Sequence, residues 1–293
     1  MTRATTITKA IVLGATLGLL GTVAARAGTL ELEAAQQAEA SLRNQWTFEG
    51  SPEATALQDK EDSKHLTAYE ANGGSLTVTV GSVLGGSSSQ GLNIYDPAGD
   101  TAGACAYTTG FTWPTQTTIE LLVKPGVQTS TEAHIINRGG NPRFYLRQGT
   151  GTTMYLWLGN DTSPGEPVLT NHTLGNTYYI AIQVDYNSET DEQTANVYYA
   201  DVTGSGASGY TLTHSISNLV VNGNPTGSAA LYFGANGATN KLRWDGSLDA
   251  IAVYNELLPL STLQSHVNLV PEPASAALLL LGAAALLNRR RRR

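Results

Sequence analysis

Residues 244–255 read WDGSLDAIAVYN, from Trp244 to Asn255. Asp245-Gly246 favours a tight turn, because glycine tolerates positive φ. The residues after it have the β-branched and aromatic content of a strand, and side chains alternate between the two faces of a strand. Strict alternation places Leu248, Ala250, Ala252 and Tyr254 on one face, and Asp249, Ile251 and Val253 on the other. The segment therefore predicts a buried β-strand that follows a turn.

Asp249 is the one acidic residue inside this strand. A buried carboxylate must be paired, so Asp249 either accepts hydrogen bonds from backbone donors or contacts a metal ion or a sugar. Ligand-contacting residues are usually found on loops, whereas Asp249 lies in the middle of the strand. We therefore expect a structural role for Asp249, with the metal or sugar contact as the alternative.

The rest of the chain, from residue 44 to the C-terminal region, shows the same alternation of strand-forming and turn-forming segments. Short runs rich in Thr, Val, Ile, Tyr and Trp alternate with clusters of Gly, Asn, Asp, Ser and Pro. The predicted strands are 77–80, 117–123, 144–146, 154–158, 178–186, 194–199, 210–216, 231–233 and 247–254. Many short strands with polar turns predict an all-β fold, an antiparallel sandwich or barrel. Residues 30–42 could form an amphipathic helix, although chain ends are often loose.

Several of these segments resemble LamG-like domains, the concanavalin A-like lectin/glucanase jelly rolls. The closing block of residues 231–234 (LYFG), 244–255 and 257–267 is the strongest part of the resemblance. Residues 117–125 (TTIELLVKP), 44–50 and 91–93 resemble earlier strands of that family. The resemblance implies a single jelly-roll β-sandwich over about residues 44–267. It also implies a mainly structural position for Asp249.

The N-terminus has the layout of a secretory signal peptide. Arg3 and Lys9 are followed by residues 10–23, which carry no charge, and then by Ala25-Arg26-Ala27. The uncharged run has 14 residues, whereas a membrane-spanning helix needs about 20. We expect signal peptidase to recognise Ala25 and Ala27 and to remove residues 1–27. The alternative is that residues 10–23 form an anchor helix that is not cleaved off.

The C-terminus combines a motif, an apolar run and a basic end. Val270-Pro271-Glu272-Pro273 precedes the apolar residues 274–287, and the chain ends in five arginines, Arg289, Arg290, Arg291, Arg292 and Arg293. Prolines interrupt regular structure, and an arginine cluster stays on the cytoplasmic side of a bilayer. Fourteen residues at about 1.5 Å each cover about 21 Å, which is less than the hydrocarbon core. The tail therefore predicts a short, marginal transmembrane helix.

This tail resembles the PEP-CTERM family of sorting signals, which the membrane enzyme exosortase recognises and cleaves in Gram-negative-type bacteria that make exopolysaccharide. The alternative is an ordinary C-terminal anchor after a proline-rich turn. The expected organisation is a signal peptide (1–27), an N-terminal extension (28–43), a LamG-like sandwich (44–269) and a sorting signal (270–293). Export, transient anchoring in the inner membrane, and then residence at the cell surface or in the extracellular matrix follow from that resemblance.

Charge and cysteine content limit the partners. Between residues 28 and 288 the chain has nine basic and 24 acidic residues, a net charge of −15. Such a body repels nucleic acid and anionic lipid, so we expect no nucleic acid partner and membrane contact only through the tail. The carboxylates leave Ca²⁺ as a candidate ligand, and no other cofactor is expected. Cys105 is the only cysteine, so no intramolecular disulfide forms and stability must come from a hydrophobic core.

Catalytic motifs are weak in this sequence. Glucanases with this fold place carboxylates at alternate positions of one strand, and residues 189–193 (ETDEQ) come nearest. The third position of that triplet is Gln193, which cannot ionise, and the segment has the composition of a hairpin loop. The five histidines are too scattered for a metal motif. We therefore expect no enzyme activity, with a glycoside hydrolase as the alternative.

The best candidate for ligand contact is the cluster of Tyr155, Trp157, Asn160 and Asp161. Tyr155 and Trp157 share one face of a predicted strand, and the two polar residues begin the loop after it. Aromatic rings with amide and carboxylate oxygens can hold a sugar or Ca²⁺. The alternative is that Trp157 packs between the two sheets. The sequence thus favours a non-catalytic surface protein that binds polysaccharide, with a purely structural protein as a further alternative.

Overall fold

The structure, a computed structural model, describes residues 29–50, 53–71, 73–84, 89–95, 103–128, 132–139, 143–149, 151–159, 165–203, 209–237 and 242–270. The predicted signal peptide with Ala25 and Ala27, and the tail from Pro271 to Arg293, lie outside these residues. Among the helices of the described part, none combines the length and the apolar character needed to cross a membrane.

Strands dominate the described residues, with three short helices. The helices are α1 (Thr29–Ala38), α2 (Glu53–Ala56) and α3 (Leu260–Asn268). The strands are β1 (Leu42–Trp46), β2 (Thr67–Ala71), β3 (Ser75–Val80), β4 (Gln90–Tyr95), β5 (Gly103–Thr112), β6 (Gln116–Pro125), β7 (Ala133–Arg138), β8 (Arg143–Gln148), β9 (Met154–Gly159), β10 (Glu166–Leu169), β11 (Tyr178–Asn187), β12 (Glu192–Asp201), β13 (Thr213–Asn222), β14 (Ser228–Phe233) and β15 (Gly246–Tyr254).

These strands form two antiparallel sheets. The eight-stranded sheet has the order β13-β12-β11-β6-β15-β4-β3, and β1 also pairs with β15. The seven-stranded sheet has the order β10-β9-β8-β7-β14-β5-β2. Neighbouring strands are often distant in sequence, as β6 and β15 are, so the closing strand of the chain completes the centre of the first sheet. The predicted all-β antiparallel sandwich is confirmed.

The main hydrophobic core lies between the two sheets. Ile119, Leu121 and Val123 of β6 share one apolar cluster with Phe144 and Leu146 of β8. These residues alternate along their strands with residues that face outward, as the pleat requires. Because a sandwich core is continuous along both sheets, it provides stability in a chain whose single cysteine, Cys105, is free and buried.

A second apolar layer covers the outer face of the eight-stranded sheet. Leu32 of α1 and Leu263 and Val267 of α3 are buried against Leu122 and Tyr179 of the sheet. The predicted N-terminal extension is therefore part of the folded body, because its helix has an apolar face that the sheet buries. Strand β1 also begins at residue 42, inside the extension. At the other end Val270, the last of the described residues, is buried in this layer.

The alternation predicted for β15 is wrong after Asp249. The pairing of β15 with β6 shifts between Asp249 and Ala252, and Ala250 has a φ of 47°. This bulge adds one residue on the β15 side. As a result Ile251 and Val253 join Leu248 in the main core, whereas Ala250, Ala252 and Tyr254 join the second layer.

The predicted strand 210–216 starts later than expected, at Thr213. The Gln264 side chain of α3 donates a hydrogen bond to the Tyr210 carbonyl at 2.6 Å and accepts one from the Leu212 N–H at 3.3 Å. Because the Gln264 side chain bonds to these two backbone groups, residues 210–212 pack against α3 and do not extend the pairing of β12 with β13.

Candidate functional site

A row of polar and aromatic residues crosses the outer face of the seven-stranded sheet. Each member lies opposite the next across a strand pair, from β9 through β8, β7, β14 and β5 to β2. We call this set the aromatic row: Trp157, Tyr145, Asn137, Tyr232, Tyr107 and Thr67. Strands in a sheet are about 4.8 Å apart, so a row across six strands is about 24 Å long.

The row faces outward because its sequence neighbours face inward. Phe144 and Leu146 on either side of Tyr145, and Leu156 and Leu158 on either side of Trp157, all belong to the main core. The aromatic members of the row are half-buried. Part of each ring is therefore accessible to solvent, and sugar rings stack on exposed aromatic rings through their apolar C–H faces.

Ring contacts hold the row in two groups. Tyr107 and Tyr232 stack with centroids 5.6 Å apart and an interplanar angle of 27°. Tyr145 and Trp157 lie 5.8 Å apart at 51°, and His134 lies 4.7 Å from Tyr145. Packed rings have few rotamers open to them, so the row loses little conformational entropy when a ligand binds.

A cation lies beside the Trp157 end of the row. The Arg147 guanidinium lies 4.8 Å from the Trp157 ring centroid and 5.4 Å from that of Tyr155. Its Nη1 is 2.6 Å from Glu132 Oε1, which keeps the group in place and balances its charge. The stacked guanidinium therefore fixes both rings of β9 in orientation.

Besides Nε of Arg147, two buried polar atoms near the row have no hydrogen-bond partner among the described residues. They are Oδ1 of Asn137, which is 1 % exposed, and Nδ1 of His134, which is 2 % exposed. The Asn137 amide donates to Asn236 Oδ1 at 2.8 Å, so its orientation is fixed. Burial, with the charge of Arg147, lowers the pKa of His134 to about 3, so the imidazole is neutral at physiological pH. Unpaired buried polar atoms are rare in native structures.

Of the residues on the outer face of the seven-stranded sheet, the sequence identified those on β9, at one end of the row. Tyr155 and Trp157 lie on the same outer face of β9, whereas Asn160 and Asp161 lie outside the described residues. Trp157 is half-buried on this face and does not belong to the main core, so it does not pack between the two sheets. Tyr107, Tyr232 and the other members were missed, because no single segment brings them together. Strand β5 was missed as well, because its glycines and threonines (GACAYTTGFT) hide the strand pattern.

No carboxylate belongs to the aromatic row, although a glycosidase needs two of them close together. The segment 189–193 lies at the turn between β11 and β12, on the other sheet. Gln193 is buried there and donates to the Gly223 carbonyl at 2.6 Å. Its side chain therefore closes the hairpin against the next strand.

Asp249 lies under α1, on the outer face of the eight-stranded sheet. Its Oδ1 accepts the Ala250 N–H at 2.8 Å, and its Oδ2 accepts the Ser89 hydroxyl at 3.0 Å. Burial and the nearby Glu33 carboxylate raise its pKa well above the ordinary value. Burial and Glu49 likewise raise the pKa of Glu33 to about 8. Among the residues described, no group of three His, Cys, Asp or Glu side chains could hold a metal ion.

Comparison with known proteins shows the fold. No family model matches the sequence, and no curated protein matches it. Domain 4 of the GH43 extracellular arabinanase AbnA from Geobacillus stearothermophilus, solved with arabinotriose, is similar in structure with a TM-score of 0.53 and 17% identity; the match covers 78% of this chain and 99% of that one. Trypanosoma rangeli sialidase matches with a TM-score of 0.47 and 12% identity, over 79% of this chain and 33% of that one. The PL-14 alginate lyase of Aplysia kurodai matches with a TM-score of 0.42 and 10% identity, over 66% and 98%. The chain thus has a β-sandwich fold compatible with the lectin/glucanase jelly rolls.

Proposed function

We propose that this protein is a non-catalytic, exported surface protein that binds a polysaccharide chain along the aromatic row. The observation that carries the proposal is the unbroken cross-strand row of aromatic and amide side chains on the seven-stranded sheet. Stacked rings suit the apolar faces of sugars, and the rings of the row lie on both sides of the buried Asn137. The AbnA domain, solved with arabinotriose, offers a supporting analogy of fold.

The net negative charge of residues 28–288 favours neutral polysaccharides over acidic ones. A net charge of −15 between residues 28 and 288 repels acidic polymers. Of the basic groups near the row, Arg147 is already paired with Glu132. We therefore expect a neutral glycan, with Ca²⁺ not needed for the stacking contacts.

Localisation is part of the proposal and rests on the two ends of the sequence. Signal peptidase removes residues 1–27, and exosortase recognises the Pro271-Glu272-Pro273 motif, which resembles PEP-CTERM signals, and cleaves near it. The mature body then lies at the cell surface or in the extracellular matrix, where polysaccharide is the available polymer. Binding through the row holds the protein in that polymer.

Affinity electrophoresis of the full chain in gels containing linear arabinan, mannan or a mixed-linkage glucan tests the binding. We expect retardation by at least one polymer, equal with Ca²⁺ and with chelator. Removing two rings, in the double variant Trp157→Ala/Tyr232→Ala, should weaken binding at least about tenfold, which corresponds to about 1.4 kcal/mol. Tyr198→Ala is the matched control, because Tyr198 is a half-buried tyrosine on the other sheet, stacked on His214 at 4.5 Å.

The same samples separate the alternatives. A release of reducing sugar from any of the three polymers would identify a hydrolase and overturn the non-catalytic assignment. Absence of retardation by all three, with a folded protein, would favour a purely structural role. Equal binding by wild type and the Trp157/Tyr232 variant would place the ligand elsewhere on the molecule.

A further inference from the structure

A groove of about 540 Å³ lies on the opposite side of the sandwich, on the outer face of the eight-stranded sheet. Its floor is a second cross-strand row, formed by Asn93 of β4, Ser247 of β15 and Lys124 of β6. We call it the Tyr95 groove, after the residue at the end of β4 that forms one wall. Its volume falls within the range of about 300–1,000 Å³ that is usual for small-ligand sites.

Exposed apolar side chains from three separate segments meet at this groove. Tyr95 is 50% exposed, Val127 65% and Leu174 43%, and all three line it. They are three of the seven large hydrophobic side chains that are exposed among the described residues. Scattered exposed apolar residues are ordinary, whereas several around one recess indicate a surface that binds something.

The walls of the groove are held by hydrogen bonds between its segments. The Asp245 carbonyl accepts the Gly126 N–H at 2.9 Å and the Gln128 side-chain amide at 2.6 Å. The Gly175 N–H donates to the Pro125 carbonyl at 3.1 Å, which ties the Leu174 segment to the end of β6. A Cβ at position 126 would lie 2.8 Å from the Asp245 carbonyl oxygen, so the close approach of these segments needs glycine. The groove is thus preformed, which reduces the entropy lost on binding.

The polar groups of the groove have the chemistry of a neutral sugar site. Lys124 is half-buried and forms no ion pair with a carboxylate of the described residues, so its ammonium can donate to hydroxyls. Asn93, whose Oδ1 accepts the Ser247 hydroxyl, and Asp245 add polar groups to the lining, and the exposed Tyr95 ring provides a stacking surface. The negative charge of the body disfavours an acidic ligand here, as it does at the aromatic row.

We propose that the Tyr95 groove is a second binding site for a neutral glycan and that the protein cross-links two polysaccharide chains. This inference rests on the proposed function of the aromatic row. The two sites are on the outer faces of opposite sheets, which are about 10 Å apart before their outward side chains are counted. One chain lying along the row therefore cannot enter the groove without bending around the sandwich, so each site takes a different chain.

Light scattering tests the cross-linking. The full chain, kept in solution with a mild detergent, is titrated into linear arabinan, mannan and mixed-linkage glucan. We expect wild type to raise the scattering of a polymer that it binds, and short oligosaccharides of that polymer to bind with two sites per chain in calorimetry. The double variant Tyr95→Ala/Lys124→Ala should bind one oligosaccharide, keep its retardation in gels and lose the rise in scattering. Val220→Ala is the matched control, since Val220 is 54% exposed on β13 of the same sheet.

The outcomes separate the two proposals. One site per chain in wild type, or unchanged scattering by the Tyr95/Lys124 variant, would overturn the second site and leave the aromatic row intact. If wild type binds none of the three polymers, the proposed function and this inference both fall. Thermal melts confirm folding of the variant; if Tyr95→Ala/Lys124→Ala melts early, Tyr95→Ala alone takes its place, because an exposed ring contributes little to the core.

Discussion

The imidazole Nδ1 of His266, on α3, lies 3.0 Å from Oε1 of Glu120, which is fully buried in β6. The hydroxyls of Tyr179 and Tyr254 donate to the same carboxylate. Burial lowers the pKa of His266, but the hydrogen bond and charge of Glu120, with the charge of Glu39, outweigh burial, and the pKa rises above 6.5. This contact joins the helical layer to the centre of the eight-stranded sheet.

The contact predicts a loss of stability as pH rises. A histidine whose pKa is raised in the folded state contributes fully below its unfolded value, near 6.5, and the contribution disappears as pH rises through the folded value. His266→Gln should therefore remove this part of the pH dependence and lower stability at pH 6 by about 3–5 kcal/mol, the usual effect of breaking a buried ion pair. Denaturant melts from pH 6 to 9 measure both. An unchanged pH profile in the variant would contradict the prediction.

The buried carboxyl of Glu33 predicts a second loss of stability as pH rises, and this loss begins at a lower pH than that of His266. Its pKa is about 8 in the folded state, against an ordinary value of 4.5, so the folded state favours the protonated acid. The stability that Glu33 contributes should be fully present below about pH 4.5 and should be lost as pH rises from there through about 8, by about 1.4 kcal/mol for each unit of pKa difference. Glu33→Gln should flatten this decline, whereas the exposed Glu61→Gln should leave it unchanged. An unchanged decline in Glu33→Gln would show that this carboxylate is not the titrating group.

Asp249→Ala tests the structural role against the Ca²⁺ alternative. The variant loses the acceptors for the Ala250 N–H and the Ser89 hydroxyl, so we expect a loss of about 1–3 kcal/mol. If the role is structural, that loss is the same with Ca²⁺ and with chelator. Thermal melts of both proteins in both conditions decide it, with the exposed Asp62→Ala as control. Stabilisation of wild type alone by Ca²⁺ would instead identify Asp249 as a ligand, by mass action.

The two ends of the chain predict the mass of the mature protein. Protein isolated from its native host should begin near Gly28, after Ala25-Arg26-Ala27, and should lack the tail that follows the Pro271-Glu272-Pro273 motif. Intact-mass spectrometry measures both ends in one experiment. Mature material that retains Arg289 to Arg293 would contradict sorting by exosortase, and a retained Arg3 would contradict cleavage by signal peptidase.

Local pattern was enough to predict the fold class. The runs that became β6, β9, β11, β12 and β15 were recognised because Val, Ile, Thr and Tyr favour a pleated, half-buried surface, and Gly-Asn-Asp clusters favour turns. The same reasoning failed where a single residue breaks the period. The bulge at Ala250 reversed the faces predicted beyond Asp249, because periodicity carries no information about an added residue until the partner strand is known.

By itself, the sequence determined that this chain is a strand-rich sandwich without a disulfide, and it identified Tyr155 and Trp157 as neighbours on one strand face. Only the tertiary structure decided that Tyr145, Asn137, Tyr232 and Tyr107 continue that face across the sheet. Strand order depends on which apolar faces pack together over the whole chain, and residues 107 and 232 become neighbours only through that packing. A pattern read along the chain records which face a side chain takes, whereas the sheet decides which side chains from distant strands lie beside it.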